Sequence, residues 1–146
     1  MNTKQLIWVD DEKRWVQPYV DYLKGVGYMV RLFPDIDTAD QQYDQCVDAV
    51  GIILDVMMPG GDLFTEEKTE EGHRTGLLLL ARWRDRIVAR GQHVFVLTNR
   101  GVDEIKAEVK ALNFPHGLVE VEHKGYTNAK TFPNLIENLL GKKPRP

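Results

Sequence analysis

Polar residues stand where the apolar stretches of this chain stop. Gly51-Ile52-Ile53-Leu54 runs without alternation into Asp55, with Val56-Met57-Met58-Pro59 behind it. Leu6-Ile7-Trp8-Val9 stops at Asp10-Asp11, His93-Val94-Phe95-Val96-Leu97 at Thr98, and Leu118-Val119-Glu120-Val121 shortly before Lys124. An aspartate in such a place serves as a nucleophile, a metal ligand or a helix cap. If all five side chains meet, three carboxylates face one ammonium, and the uncompensated charge asks for a hard divalent cation. Magnesium fits, because it takes one or two carboxylates, several waters and a phosphate oxygen. A metal beside a carboxylate, an ammonium and a hydroxyl suits stabilisation of a phosphoryl group in transfer. The aspartate itself can be the nucleophile, giving an acyl phosphate.

The surrounding elements must bring these residues together. Continuous apolar runs of this length suit strands buried on both faces, as in a parallel sheet covered by helices. Trp15, Tyr19, Tyr22, Leu23 and Val26 are spaced for one helix face, ended by Gly25 and Gly27, with Pro18 awkward beyond a first turn. Tyr28 to Phe33 is mixed in polarity and reads as an edge strand, and a weak helix over Thr38 to Val47 follows Pro34. A polar, acid-rich stretch covers 63–75. Gly76 then opens a strong helix to Gly91, Val102 to Leu112 is amphipathic, and Thr131 is placed to cap a last helix ending at Gly141. Five strands alternate with five helices, which predicts a doubly wound parallel α/β sheet with helices on both faces. Its strand ends then share one edge, where open α/β sheets bind ligands.

Composition narrows the function classes. The 146 residues, 42% hydrophobic and 28% charged, fit one globular domain over 1–146. A net charge of −3 gives no reason to expect direct nucleic-acid binding, and Arg82, Arg84, Arg86 and Arg90 read as a solvated helix face beside a basic tail at 142–146. Cys46 is the lone cysteine, so neither an internal disulfide nor a cysteine-rich metal site is available. No secretory signal pattern and no apolar stretch of bilayer-spanning length is present, and a cytoplasmic location is expected.

The acid pair Asp10-Asp11, the segment Asp55-Val56-Met57-Met58-Pro59, Thr98 and Lys124, in that order, resemble the receiver domain of response regulators. That family is the phosphoacceptor module of two-component signalling, and the likeness to chemotaxis-type regulators covers essentially the whole chain. The resemblance implies a flavodoxin-like sheet of order 2-1-3-4-5. It implies phosphorylation at Asp55 by a histidine kinase or a histidine phosphotransfer protein. Mg²⁺ would be held by Asp10, Asp11, Asp55 and the main-chain carbonyl of Met57, with Thr98 and Lys124 on phosphoryl oxygens. The chain would catalyse only its own phosphorylation and dephosphorylation, acting through a downstream protein partner.

The chain departs from the family pattern at four places. The segment 63–75 is an insertion after the third strand and forms either a lid or partner surface, or a solvated loop. Asn99 stands where a small residue is usual and is expected to narrow access to the phosphoryl group. Val121 replaces the switch aromatic, which moves output towards the insertion. Gly125 replaces a proline, so a cis bond after Lys124 is not expected.

Structural readings compete at each position. Asp10 and Asp11 serve equally well as helix caps, Thr98 as an ordinary strand residue and Lys124 as an exposed lysine. Asp55 resists such a reading, because an ionised carboxylate closing an apolar strand is costly without a partner. His73, His93, His116 and His123 lack ligand spacing and are expected at the surface. For the whole chain the alternatives are an interaction module on the same fold independent of phosphorylation, and a flavin or nucleotide enzyme. The enzyme requires a phosphate-cradling first loop, whereas Asp10-Asp11-Glu12 repels phosphate unless a metal intervenes.

Overall fold

The computed structural model describes residues 3–142, so all but the first residue of the basic tail lies outside the described residues. The elements are β1 (Lys4–Val9), α1 (Lys13–Gly25), β2 (Tyr28–Phe33), α2 (Ile36–Tyr43), β3 (Ala49–Asp55), α3 (Glu66–Thr69), α4 (Thr75–Arg90), β4 (His93–Thr98), α5 (Val102–Ala111), β5 (Val119–His123) and α6 (Phe132–Leu140). The five strands pair in parallel in the order β2-β1-β3-β4-β5. Every strand end that carries a candidate residue therefore lies on one edge of the sheet. The mixed polarity of β2 matches its edge position.

Alternate side chains of each central strand feed two cores. Ile7, Ile52, Leu54, Val94 and Val96 pack against α2, α4 and α5, while Leu6, Trp8, Ile53, Phe95 and Leu97 pack against α1 and α6. Burial of both sets removes the alternation that a half-exposed strand would show. At the site edge, α4 lies so close to β3 that a Cβ on Gly76 would stand 2.1 Å from the Asp55 carbonyl oxygen. Only glycine fits there.

Several local expectations change in three dimensions. The weak helix begins at Ile36 rather than Thr38, because Asp35 accepts from the Thr38 N–H at 2.7 Å and caps it. Thr131 is the N-cap residue of α6 but makes no side-chain capping bond; its hydroxyl turns back to the Asn128 carbonyl. His93 is buried rather than at the surface, with Nε2 2.9 Å from the Lys142 carbonyl. The arginine face of α4 is also not free. Arg82 grips Asp40 with two hydrogen bonds at 3.0 and 3.1 Å, and Arg86 and Arg90 converge on Asp44. Burial alone would raise the Asp40 pKa, but the bonds from Arg82 and Trp83 outweigh it and hold this carboxyl below its ordinary value.

The segment 63–75 forms a strap between β3 and α4. Thr65 caps α3, and the buried Thr69 donates to the Glu66 carbonyl while accepting from the Gly72 N–H. Glu70, Glu71 and Gly72 are successive left-handed residues, and Met58 donates to the Gly72 carbonyl at 3.1 Å. Asp37 at the start of α2 accepts from the Asp62 and Leu63 N–H groups at 2.8 and 3.0 Å. At the far end Arg74 pairs with Glu108 of α5 at 3.0 Å. Polar side chains bonded to backbone replace the apolar periodicity that would have revealed this segment in the sequence.

Candidate functional site

Asp55, the last residue of β3, is 1% exposed, Asp10 and Thr98 are 0% exposed and Lys124 is 2% exposed. A lysine so buried is not the exposed surface residue of the structural reading. Its ammonium lies 3.0 Å from Asp10 Oδ2, 3.2 Å from Glu12 Oε1 and 3.5 Å from Asp55 Oδ2. Each opposing charge in such a group must offset a desolvation penalty of several kcal/mol per ion.

Asp10 is not a helix cap. The N-cap of α1 is Glu12, which has no side-chain capping bond, and Asp10 Oδ1 accepts from the Glu12 N–H at 2.9 Å. That bond leaves Oδ2 turned into the cluster. Asp55 Oδ1 is buried with no hydrogen-bond partner, and the buried Asp10 Oδ2 faces only the Lys124 ammonium. Buried polar atoms normally have partners. Oxygens of Asp10, Asp11, Glu12 and Asp55 lie within 4.8 Å of one another. An unpartnered Asp55 oxygen inside a four-carboxylate group suits a hard cation with oxygen ligands.

The electrostatics follow from this crowding. Burial, and then the neighbouring Asp10 carboxylate, push the Asp55 pKa up to about 7 against the pull of Lys124. Burial and Asp10 likewise raise Asp11. Burial opposes the charge on Lys124, but Asp55 and Asp10 outweigh it and hold its pKa above the ordinary lysine value.

Thr98 ends β4 one residue beyond Leu97, the register partner of Asp55. Its Oγ1 accepts from the Arg100 N–H at 2.8 Å, which leaves its own proton free to donate. Met57 is half-buried two residues past Asp55 and lines a cavity of about 650 Å³ between Met57–Gly61 and the strap, which also includes Phe64 and Glu66. Asn99 is exposed beside Thr98, and Val121 is a buried core residue. Sequence reasoning noted Glu12 only as part of an acidic loop, although its carboxylate joins both the cluster and Lys124. The available signal was its place beside the acid pair.

No family model matches this sequence, and no curated protein matches it. Solved structures do. A Francisella response-regulator receiver domain superposes with a TM-score of 0.69 at 17% identity, covering 94% of this chain and 96% of that one. The isolated receiver domain of RcsB from Salmonella enterica serovar Typhimurium, solved with a beryllofluoride phosphomimetic, gives 0.68 at 20% identity over 99% and 94%. A CheY-like receiver domain from Methanospirillum hungatei gives 0.69 at 15% identity over 95% and 94%. The chain has the receiver fold of response regulators. The strand order and parallel pairing agree with the sheet that the resemblance implied. Among the described residues, no helix is long and apolar enough to cross a membrane.

Proposed function

We propose that this receiver is a phosphoacceptor signalling protein. Asp55 takes a phosphoryl group from the phosphohistidine of a kinase or phosphotransfer protein, with Mg²⁺, and its phosphorylation state alters contacts with a downstream protein. The observation that carries this reading is Asp55 Oδ1, a buried carboxylate oxygen without a partner in an acidic cluster closed by a buried lysine. Two-component partners belong to this reading as a class.

Asp10, Asp11 and Asp55, with the Met57 carbonyl, would hold the ion, and Glu12 is a further carboxylate within reach. Mg²⁺ when bound supplies positive charge that neutralises developing charge on phosphoryl oxygens. An Asp55 oxygen forms the new O–P bond as the N–P bond of the donor breaks; the donor imidazole keeps that electron pair and takes up a proton. Lys124, already 3.5 Å from Asp55, meets a phosphoryl oxygen, and the Thr98 hydroxyl donates to another. Attack by water on the acyl phosphate reverses the modification. The protein thus acts as a catalyst only towards its own aspartate.

Intact mass after incubation with a small acyl phosphate and Mg²⁺ tests the reading. One added phosphoryl group that requires the ion and is absent from Asp55→Asn is expected. A folded wild type that forms no adduct, with partner binding retained by Asp55→Ala, would instead make the chain an interaction module independent of phosphorylation.

A further inference from the structure

Lys124 is gripped at both ends by one helix face. The ammonium lies 4.5 Å from the centroid of the Trp15 ring, which stacks on Tyr19 at 4.4 Å. Four residues apart on α1, Trp15 and Tyr19 are helix neighbours. The Tyr19 hydroxyl is 2.8 Å from Thr127 Oγ1, and Thr127 Oγ1 donates to the Lys124 carbonyl at 2.7 Å. Because Thr127 spends its single hydroxyl proton on that carbonyl, Tyr19 is the donor to Thr127. A closed circuit results, running from the Lys124 main chain through Thr127, Tyr19 and Trp15 back to the Lys124 ammonium. Glu12, on the loop preceding α1, takes a further contact at 3.2 Å.

We infer that Trp15 and Tyr19, with Glu12, are positioning residues that set the Lys124 ammonium at the Asp55 carboxylate. Among the contacts of the ammonium, that to Asp55 is the longest carboxylate contact, at 3.5 Å against 3.0 Å to Asp10 and 3.2 Å to Glu12. It is the one a phosphoryl oxygen on Asp55 would replace, while the other carboxylates and the indole face stay in place. An ammonium fixed in advance contributes to charge stabilisation without reorganising at the moment of transfer. A cation over a partly desolvated indole is held more strongly than one in water. The consequence for phosphotransfer rests on the phosphoacceptor reading; the positioning itself does not.

The test separates the two. Amine-selective acylation of the full chain, read by peptide mass spectrometry, reports access to Lys124 with exposed Lys130 as internal control. Lys124 is expected to be protected in wild type, about five-fold more reactive in Trp15→Leu, and intermediate in Trp15→Phe and Tyr19→Phe, with Lys130 unchanged. Adduct formation at Asp55 should slow by a similar factor in Trp15→Leu and recover largely in Trp15→Phe, at unchanged Mg²⁺ affinity. Equal protection of Lys124 in wild type and Trp15→Leu would overturn the inference. If Trp15→Leu does not fold by circular dichroism, the two phenylalanine variants carry the same comparison. Altered protection in a protein whose wild type forms no adduct would support the positioning role and remove the phosphoacceptor reading.

Discussion

Arg100 donates from Nη1 to the His73 main-chain oxygen at 3.1 Å, fastening the residue two places beyond Thr98 to the strap between β3 and α4. The Arg100 N–H simultaneously donates to Thr98 Oγ1, so one residue touches both the site edge and the strap. Arg100 also pairs with Glu104 of α5. Arg100 is thus in contact with the site edge, the strap and α5 at once.

Arg100→Ala should free the far end of the strap. Amide exchange across 66–75 is expected to accelerate several-fold, with a stability loss of about 1 kcal/mol from the missing side-chain hydrogen bond. Exchange rates identical to wild type would show that Arg74 and Asp37 hold the strap unaided.

Asp55 makes stability fall as pH rises. Its folded pKa of about 7 lies above the ordinary 3.8, so between those values the folded state binds more protons than the unfolded chain. The penalty is absent below the lower value and complete above the upper one. Metal-free Asp55→Asn should therefore melt above wild type at pH 8 by on the order of 1–2 kcal/mol, a few degrees, with the gap closing towards pH 4. Saturating Mg²⁺ should narrow the gap at pH 8 by stabilising wild type more than the variant, which lacks one of the carboxylates. A difference independent of pH would contradict the burial of this carboxylate.

Gly76→Ala places a Cβ 2.1 Å from the Asp55 carbonyl oxygen and 2.8 Å from the Val56 Cα. These are backbone atoms at and just beyond the end of the central strand β3 and have no room to yield. The expected cost is about 3 kcal/mol, read as a lower urea midpoint. A midpoint within experimental error of wild type would mean that α4 and β3 separate readily.

Asn99 is exposed beside the buried Thr98, and its side chain is expected to hinder entry to the site. Asn99→Ala should speed both adduct formation and its hydrolysis while leaving the melting temperature within about 2 °C, as for an exposed substitution. If neither rate changes, the side chain does not guard the site.

Burial periodicity is a local property, and it was enough to locate five strands and the main helices that cover them. Ile52-Ile53-Leu54 and Val94-Phe95-Val96-Leu97 declared themselves as two-sided strands by lacking alternation, and a parallel sheet then had to bring Asp10, Asp55, Thr98 and Lys124 to one edge. What the residues did next depended on distance in space. Glu12 and Lys124 are 112 positions apart and meet only because β1 and β5 end on the same side of the sheet. The burial of His93, the grip of α4 arginines on α2 and the pinning of the strap by Asp37 and Arg74 likewise join residues far apart in the chain. Polar contacts of this kind carry no period, since each is fixed by where two backbones happen to pass, and that is decided by tertiary packing alone.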